Sequence, residues 1–251
     1  MRMRTLYVLA GTLTFVFSLV LLAPAAIVYG WLKPKLGDAV TLAGIDGSLR
    51  DGSVSAILVG GRPLLEKLHW RLHLGELLLM RVGLDLDSSG ATLMNGHVSK
   101  GFGVVRGHDL RIASGLKSLL AAIGQPFAPV DGQASLELAR IKLHGDWPSD
   151  AEGTLRIQGL AWTLARDPVV LGDYQADIKP DGSDIVALVH TLGGSLDVNG
   201  DARAKPDRSY ELHLQLRPKN DAPPLVVNLL RSLGSPDPQG YYHLRRDGKL
   251  P

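Results

Sequence analysis

Histidines and carboxylates are the residues of this chain that could hold a metal or move a proton. His69 and His73 stand four apart, the separation that lets two imidazoles on a helix share a zinc ion beside a general-base Glu. Trp70 occupies the Glu position, however, and LHWRLHL around it alternates with period two. That is a strand pattern, so the two histidines read as solvated. DLDSSG sets Asp85, Asp87, Ser89 and Gly90 like the opening of a calcium loop, but the twelfth position is Gly96 where a bidentate Glu is needed. Gly101, Gly103 and Gly107 miss the dinucleotide-binding fingerprint by one residue and lack a following helix, which makes them a turn. The chain has no G-x-S-x-G elbow, no phosphate-binding loop and no cysteine. No catalytic residue, metal ligand or cofactor is assigned, and the expectation is a protein that is not an enzyme.

The elements that carry these residues are mainly strands. In LHWRLHL, Leu68, Trp70, Leu72 and Leu74 fall on one face and His69, Arg71 and His73 on the other. YELHLQLR repeats this, with Leu212, Leu214 and Leu216 opposed by Glu211, His213, Gln215 and Arg217. Shorter alternations separated by Gly, Asp and Pro turns predict on the order of ten antiparallel strands. Two short helices interrupt them. SGLKSLLAAIGQP carries a Leu116, Leu119, Leu120, Ile123 stripe with Ser114 as its cap, and PPLVVNLLRSLGSP a Val226, Leu229, Leu230, Leu233 stripe.

These two segments also suggest a duplication. Leu68, Trp70 and Leu72 correspond to Leu160, Trp162 and Leu164 at an offset of 92, which grows to 110 at the helices. The expected division is residues 1–35 as tail and anchor and 36–251 as a β-rich domain of two similar halves, about 44–148 and 149–251, each with one short helix. The glycine pairs Gly90 and Gly96, Gly153 and Gly159, and Gly194 and Gly200 read as turns or bulges. An apolar face bearing Trp70, Leu72, Trp162, Leu164, Leu212 and Leu214 is expected to be either closed core or an open trough for lipid.

Charge excludes one class of partner. Arg2 and Arg4 account for the net +2, and the other 25 basic residues match 25 acidic ones without a basic stripe, so nucleic acid is not expected. From Thr5 to Leu32 there are 28 residues without a formal charge, against about 20 helical residues needed for a bilayer core. Leu6, Leu9, Phe15, Phe17 and Leu21 would lie in lipid, with Tyr29 and Trp31 at the interface. A cleavable signal peptide, with its small residues Ala23 and Ala25, is the rival reading. The preferred one is a single-pass transmembrane helix with a cytoplasmic N-terminus.

The stretches GIDGSLRDGSV, VDGQASLEL, AEGTLRIQGLAWTLARDPVVLGDYQA and LLRSLGSPDPQGYYHLRRDGKLP resemble the general secretion pathway protein N family of type II secretion systems. The resemblance runs from about Gly44 to Pro251. It implies an inner-membrane protein of Gram-negative bacteria with its bulk in the periplasm. Its implied partners are other secretion-system subunits, namely inner-membrane platform proteins and the outer-membrane secretin. It brings no catalytic residue. Glycine-punctuated amphipathic strands behind an anchor also resemble the AsmA-like envelope proteins, which implies lipid as a further partner.

Overall fold

The structure is a computed structural model that describes residues 7, 11, 22–36, 40–59, 61–77, 80–122, 125–145, 147–164 and 167–249. Among these, thirteen strands form a single antiparallel sheet in which every strand pairs with its neighbours in sequence. The first six are β1 (Val40–Gly47), β2 (Asp51–Val59), β3 (Arg62–His73), β4 (Val82–Ser88), β5 (Thr92–Gly101) and β6 (Val104–Gly115). They are followed by β7 (Val130–His144), β8 (Trp147–Trp162), β9 (Val169–Asp181) and β10 (Asp184–Gly194). The last three are β11 (Leu196–Ala204), β12 (Ser209–Pro218) and β13 (Tyr242–Lys249). Four helical segments accompany them: α1 (Ala25–Leu36), α2 (Leu74–Leu77), α3 (Leu116–Ala122) and α4 (Pro224–Arg231).

The alternation seen in the sequence sorts the whole sheet into two faces, because directly paired residues lie on the same side. One row crosses all thirteen strands: Ile45, Val54, Leu68, Ser88, Met94, Ile112 and Leu136, then Leu155, Ala176, Val189, Gly200, Leu214 and Leu244. Only Ser88 and Gly200 in it are not apolar. The adjacent row on the other side is polar from Asp46 to Arg245, passing through His69, Asp87, Arg111, Glu137 and Asp177. Leu188 is its single apolar member.

What covers the apolar side decides how much of it is core. Helix α3 packs on β6 and β7 and also on β3. At about 4.8 Å per strand, β3 and β7 would lie about 19 Å apart on a flat sheet, so the sheet curls around this helix. Helix α4 lays Val226 and Leu230 onto Leu171, Tyr174, Leu196, Val198, Leu216 and Tyr242, the main cluster of buried side chains. A proline start and the i, i+4 spacing of those two residues set its buried face. Ser114 does not cap α3. It is buried at the end of β6, where its hydroxyl hydrogen-bonds that of Thr92 at 2.8 Å.

The expected membrane anchor is corrected by this structure. The apolar run does not continue as one helix, because residues 22–24 are not helical and Pro24 forms a β-bridge with Ser48. The helix that follows, α1, has 12 residues, about 18 Å at 1.5 Å per residue, and it contains Lys33, Pro34 and Lys35. Among the described residues no helix is long and apolar enough to cross a membrane. The single-pass topology and the inner-membrane placement with a cytoplasmic N-terminus lose their basis with it. Leu6, Leu9, Phe15, Phe17 and Leu21 lie outside the described residues. The sheet itself runs without a break through the expected boundary between halves, since residues 148 and 149 both sit in β8.

Candidate functional site

Two surfaces of this sheet can engage something else: its edges and its faces. At the β1 edge, α1 is laid alongside. The Leu42 amide donates to Tyr29 Oη at 3.1 Å and the Leu49 amide to the Ala23 carbonyl at 3.2 Å. Tyr29, expected at a lipid interface, thus covers a strand edge, and Trp31 on the same helix is 74% exposed. At the opposite end of the sheet, β13 pairs with β12, and among the described residues no strand pairs with its outer side. Alternate residues of an antiparallel edge strand point both N–H and C=O outward, which gives this eight-residue strand about four free pairs of backbone groups.

Of the residues expected on the apolar face, five lie in strands on that side. Trp70 pairs with Leu86 and donates its indole N–H to the Leu49 carbonyl at 3.3 Å, while Leu72 pairs with Leu84. Leu212 and Leu214 pair with Ala202 and Gly200, and Trp162 packs against the cluster under α4. These five are half-buried. Leu164 falls beyond the end of β8 and is 73% exposed. The structure therefore does not bring the six into one cluster: Trp70 and Leu72 stand near one end of the sheet, and Trp162 and Leu214 pack against the cluster under α4.

On the polar face the two histidines of the apparent zinc spacing part company. His69 turns to Asp51 at 3.0 Å, and His73 meets Asp85 instead. His73 Nε2 lies 2.5 Å from Asp85 Oδ2, and His97 Nδ1 lies 2.8 Å from Asp85 Oδ1. The other nitrogen of His97, Nε2, is 2.6 Å from Glu76 Oε1. The two rings meet edge to face with centroids 5.2 Å apart. Each element contributes one member: β3 ends in His73, α2 supplies Glu76, β4 Asp85 and β5 His97. Asp85 pairs directly with His97 and with Arg71, but Arg71 leans to Asp51 at 3.4 Å, which leaves Asp85 to the histidines. Glu76 folds over Gly83, where a Cβ would lie 2.5 Å from its carboxyl carbon.

Charge follows from this arrangement. The hydrogen bond from His97 is the main cause that holds the Asp85 carboxyl below the usual carboxylate range, with burial opposing it and His73 adding to the effect. For His97, burial works against the charged ring, but hydrogen bonds to Asp85 and Glu76 outweigh it and raise its pKa above the ordinary imidazole value. Asp87 and the Ser89–Gly90 turn do not form a calcium loop: DLDSS runs off β4 as strand and turn. Glu76 and His97 carry no motif in the sequence. The usable signal was the meander itself, since His73, Asp85 and His97 follow one another at intervals of 12 residues on strands of one face.

The chain matches the family model described as Type II secretion system (T2SS), protein N over residues 38–245. It is 26% identical over 231 residues to the type II secretion system protein N of Aeromonas hydrophila, covering 90% of this chain and 91% of that one. To the protein of the same name in Vibrio cholerae serotype O1 it is 25% identical over 225 residues, 86% of this chain and 87% of the relative. No solved structure matches it. A family match over most of its length makes this chain a non-enzymatic member of the type II secretion system protein N family.

Proposed function

We propose that this chain serves the type II secretion system as a docking module, and that another component of that system adds a strand to the outer side of β13. The coarser part rests on the family: the chain works together with other secretion-system components. The observation that carries the finer part is the contrast between the two edges. Along β1 lies α1, whose Tyr29 hydroxyl takes the Leu42 amide, and Pro24 just ahead of that helix bridges Ser48 just beyond the strand, whereas along the outer side of β13 no strand pairs among the described residues. Strand addition draws its affinity from main-chain hydrogen bonds and its selectivity from alternate side chains.

Those side chains name the partner's chemistry. Arg245, Arg246 and Lys249 face one acid, Asp247, along β13, so the edge is basic within a neutral domain. It suits an extended segment that carries carboxylates, and it repels copies of itself, which protects the free edge from self-pairing. An extended stretch of the secretin or of a platform protein is the proposed occupant. A photoreactive residue placed at Arg245, in cells assembling the system, is expected to crosslink to an identified secretion-system component, and one at Gln175 in the middle of the polar face is not. Equal yields at the two positions, or none from Arg245, would sink the proposal.

A second reading has its own observation. Between α3 and α4 no second layer lies on the apolar face among the described residues, and the largest of their side chains that are less than 2% exposed are two valines, Val54 and Val226. A half-covered apolar trough takes hydrocarbon, so an acyl chain along Leu136, Leu155 and Val189 is the alternative ligand. Native mass spectrometry of the gently extracted protein that finds no lipid mass would remove it.

A further inference from the structure

We propose that His73, Asp85 and His97 form a binding site for a divalent cation of the zinc class, with Glu76 holding His97 in position from behind. The site lies on the polar face, away from both the β13 edge and the apolar side, and does not depend on the docking reading.

A neutral imidazole has one N–H and one lone pair. His97 sets one nitrogen 2.6 Å from Glu76 and the other 2.8 Å from Asp85, so two acceptors face a ring that has one proton to give. A lone pair aimed at a carboxylate is repulsive unless a cation stands between them. Either an added proton or a metal ion can fill that place, and His73 decides between them. Its Nε2 faces the second oxygen of the same Asp85 carboxylate at 2.5 Å, so two imidazoles flank one carboxylate, and one ligand atom from each of the three residues lies within 4.8 Å of the others. A proton needs only two partners. Three N and O atoms so placed are a zinc donor set, two His and one carboxylate, with the fourth position left for water.

Dimensions agree. Tetrahedral zinc with ligands at about 2.0–2.2 Å separates its ligand atoms by about 3.3 Å. The two short contacts must therefore open by less than about 1 Å, which the half-exposed His73 and Asp85 side chains allow by rotation. Glu76 is placed as the outer partner that metal-bound histidines commonly have: it accepts the Nε2–H of His97 and turns Nδ1 towards the ion. Gly83 makes room for that carboxylate, since any Cβ there would collide with it. Access is open, through a shallow hollow of about 570 Å³ lined by Asp85, Asn95, His97 and Arg111 among others. The N and O donors suit zinc, and also nickel and copper, over calcium and magnesium, which want oxygen alone. An ion here would tie β3, β4 and β5 together through three side chains, and binding to the protonated ring would release the proton of His97 Nδ1.

The test is calorimetric titration of the chelator-treated, purified full chain with zinc chloride, with calcium and magnesium chlorides in parallel. One saturable zinc site per chain is expected, with a higher thermal unfolding midpoint and no such response to calcium or magnesium. His73→Ala and His97→Ala are each expected to lose the site. Glu76→Gln is expected to weaken it by about tenfold or more, and His213→Ala, a histidine of the same face on β12, to leave it unchanged. Absence of saturable zinc binding overturns the proposal, as does binding that survives His97→Ala or a calcium affinity equal to that for zinc. Should His97→Ala not fold, imidazole nitrogen spectra of the wild-type chain decide. Loss of the Nδ1 proton signal of His97 on adding zinc supports the site, and a spectrum indifferent to zinc shows a proton bridge and removes it.

Discussion

Replacing Leu230 by Ala tests whether α4 is part of the core or a loose cover. Leu230 is 4% exposed and sits in the cluster with Leu171, Tyr174 and Leu216. The substitution removes three carbons, about 2.4 kcal/mol of transfer free energy at about 0.8 kcal/mol per methylene. The cavity left behind raises this to about 3–4 kcal/mol where neighbours do not collapse. Leu233, one turn on and 47% exposed, supplies the control: Leu233→Ala is expected to stay within about 0.5 kcal/mol of wild type. Urea unfolding followed by tryptophan emission is the assay, since Trp162 packs against the same cluster and reports its opening. The midpoint should fall strongly for Leu230→Ala with an unchanged slope. Equal effects of the two substitutions, or a cost below about 1 kcal/mol for Leu230→Ala, would refute α4 as core and leave the sheet's apolar side uncovered there.

Three further outcomes follow from particular contacts. Gly200→Ala should cost more than about 2 kcal/mol, because a Cβ there would lie 2.0 Å from the His213 carbonyl oxygen at a φ of +154°; Gly103→Ala, in an open turn at φ +79°, should cost about 1 kcal/mol, and equal unfolding midpoints would contradict this. Asp150 accepts a hydrogen bond from Lys142 at 2.8 Å, the main cause that lowers its pKa below 3.8. Its contribution to stability is therefore complete above about 3.8 and is lost as pH falls through the lower folded value, so the stability gap between wild type and Asp150→Asn should close in acid and would contradict the sign if it widened. The complex formed through β13 should weaken as salt rises, since Arg245, Arg246 and Lys249 carry its charge; a salt-independent affinity would point to the apolar face instead.

Alternation made the strands legible. LHWRLHL and YELHLQLR are half-buried, so period two survives in the letters, and both sit in strands on the faces expected except for Leu74, which opens α2. The short helices α3 and α4 were readable from their leucine stripes for the same reason, although Leu233 falls beyond the end of α4 and Ile123 lies outside the described residues. Apolar run length misled the reading of the N-terminal segment, because counting uncharged residues ignores chain direction, and Pro24 turns the chain to meet Ser48. The cluster around Asp85 was hidden for a different reason. Its members are joined by strand register rather than by a motif, and the register that sets Asp85 against His97 depends on the turn between β4 and β5, which single letters do not announce.

The free edge is tested most directly by two adjacent prolines. Arg245 and Arg246 are neighbours on β13, and of two neighbours on an antiparallel edge strand one N–H points outward and the other into the ladder. Proline at the outward position leaves the sheet intact, because edge strands tolerate it there, yet it blocks an added strand. Co-purification of secretion-system components with Arg245→Pro and Arg246→Pro, each checked by circular dichroism, is the measurement. Loss of the identified partner from the variant that keeps its β signal is the result expected; a well-folded variant of both kinds that still holds that partner would contradict docking at β13.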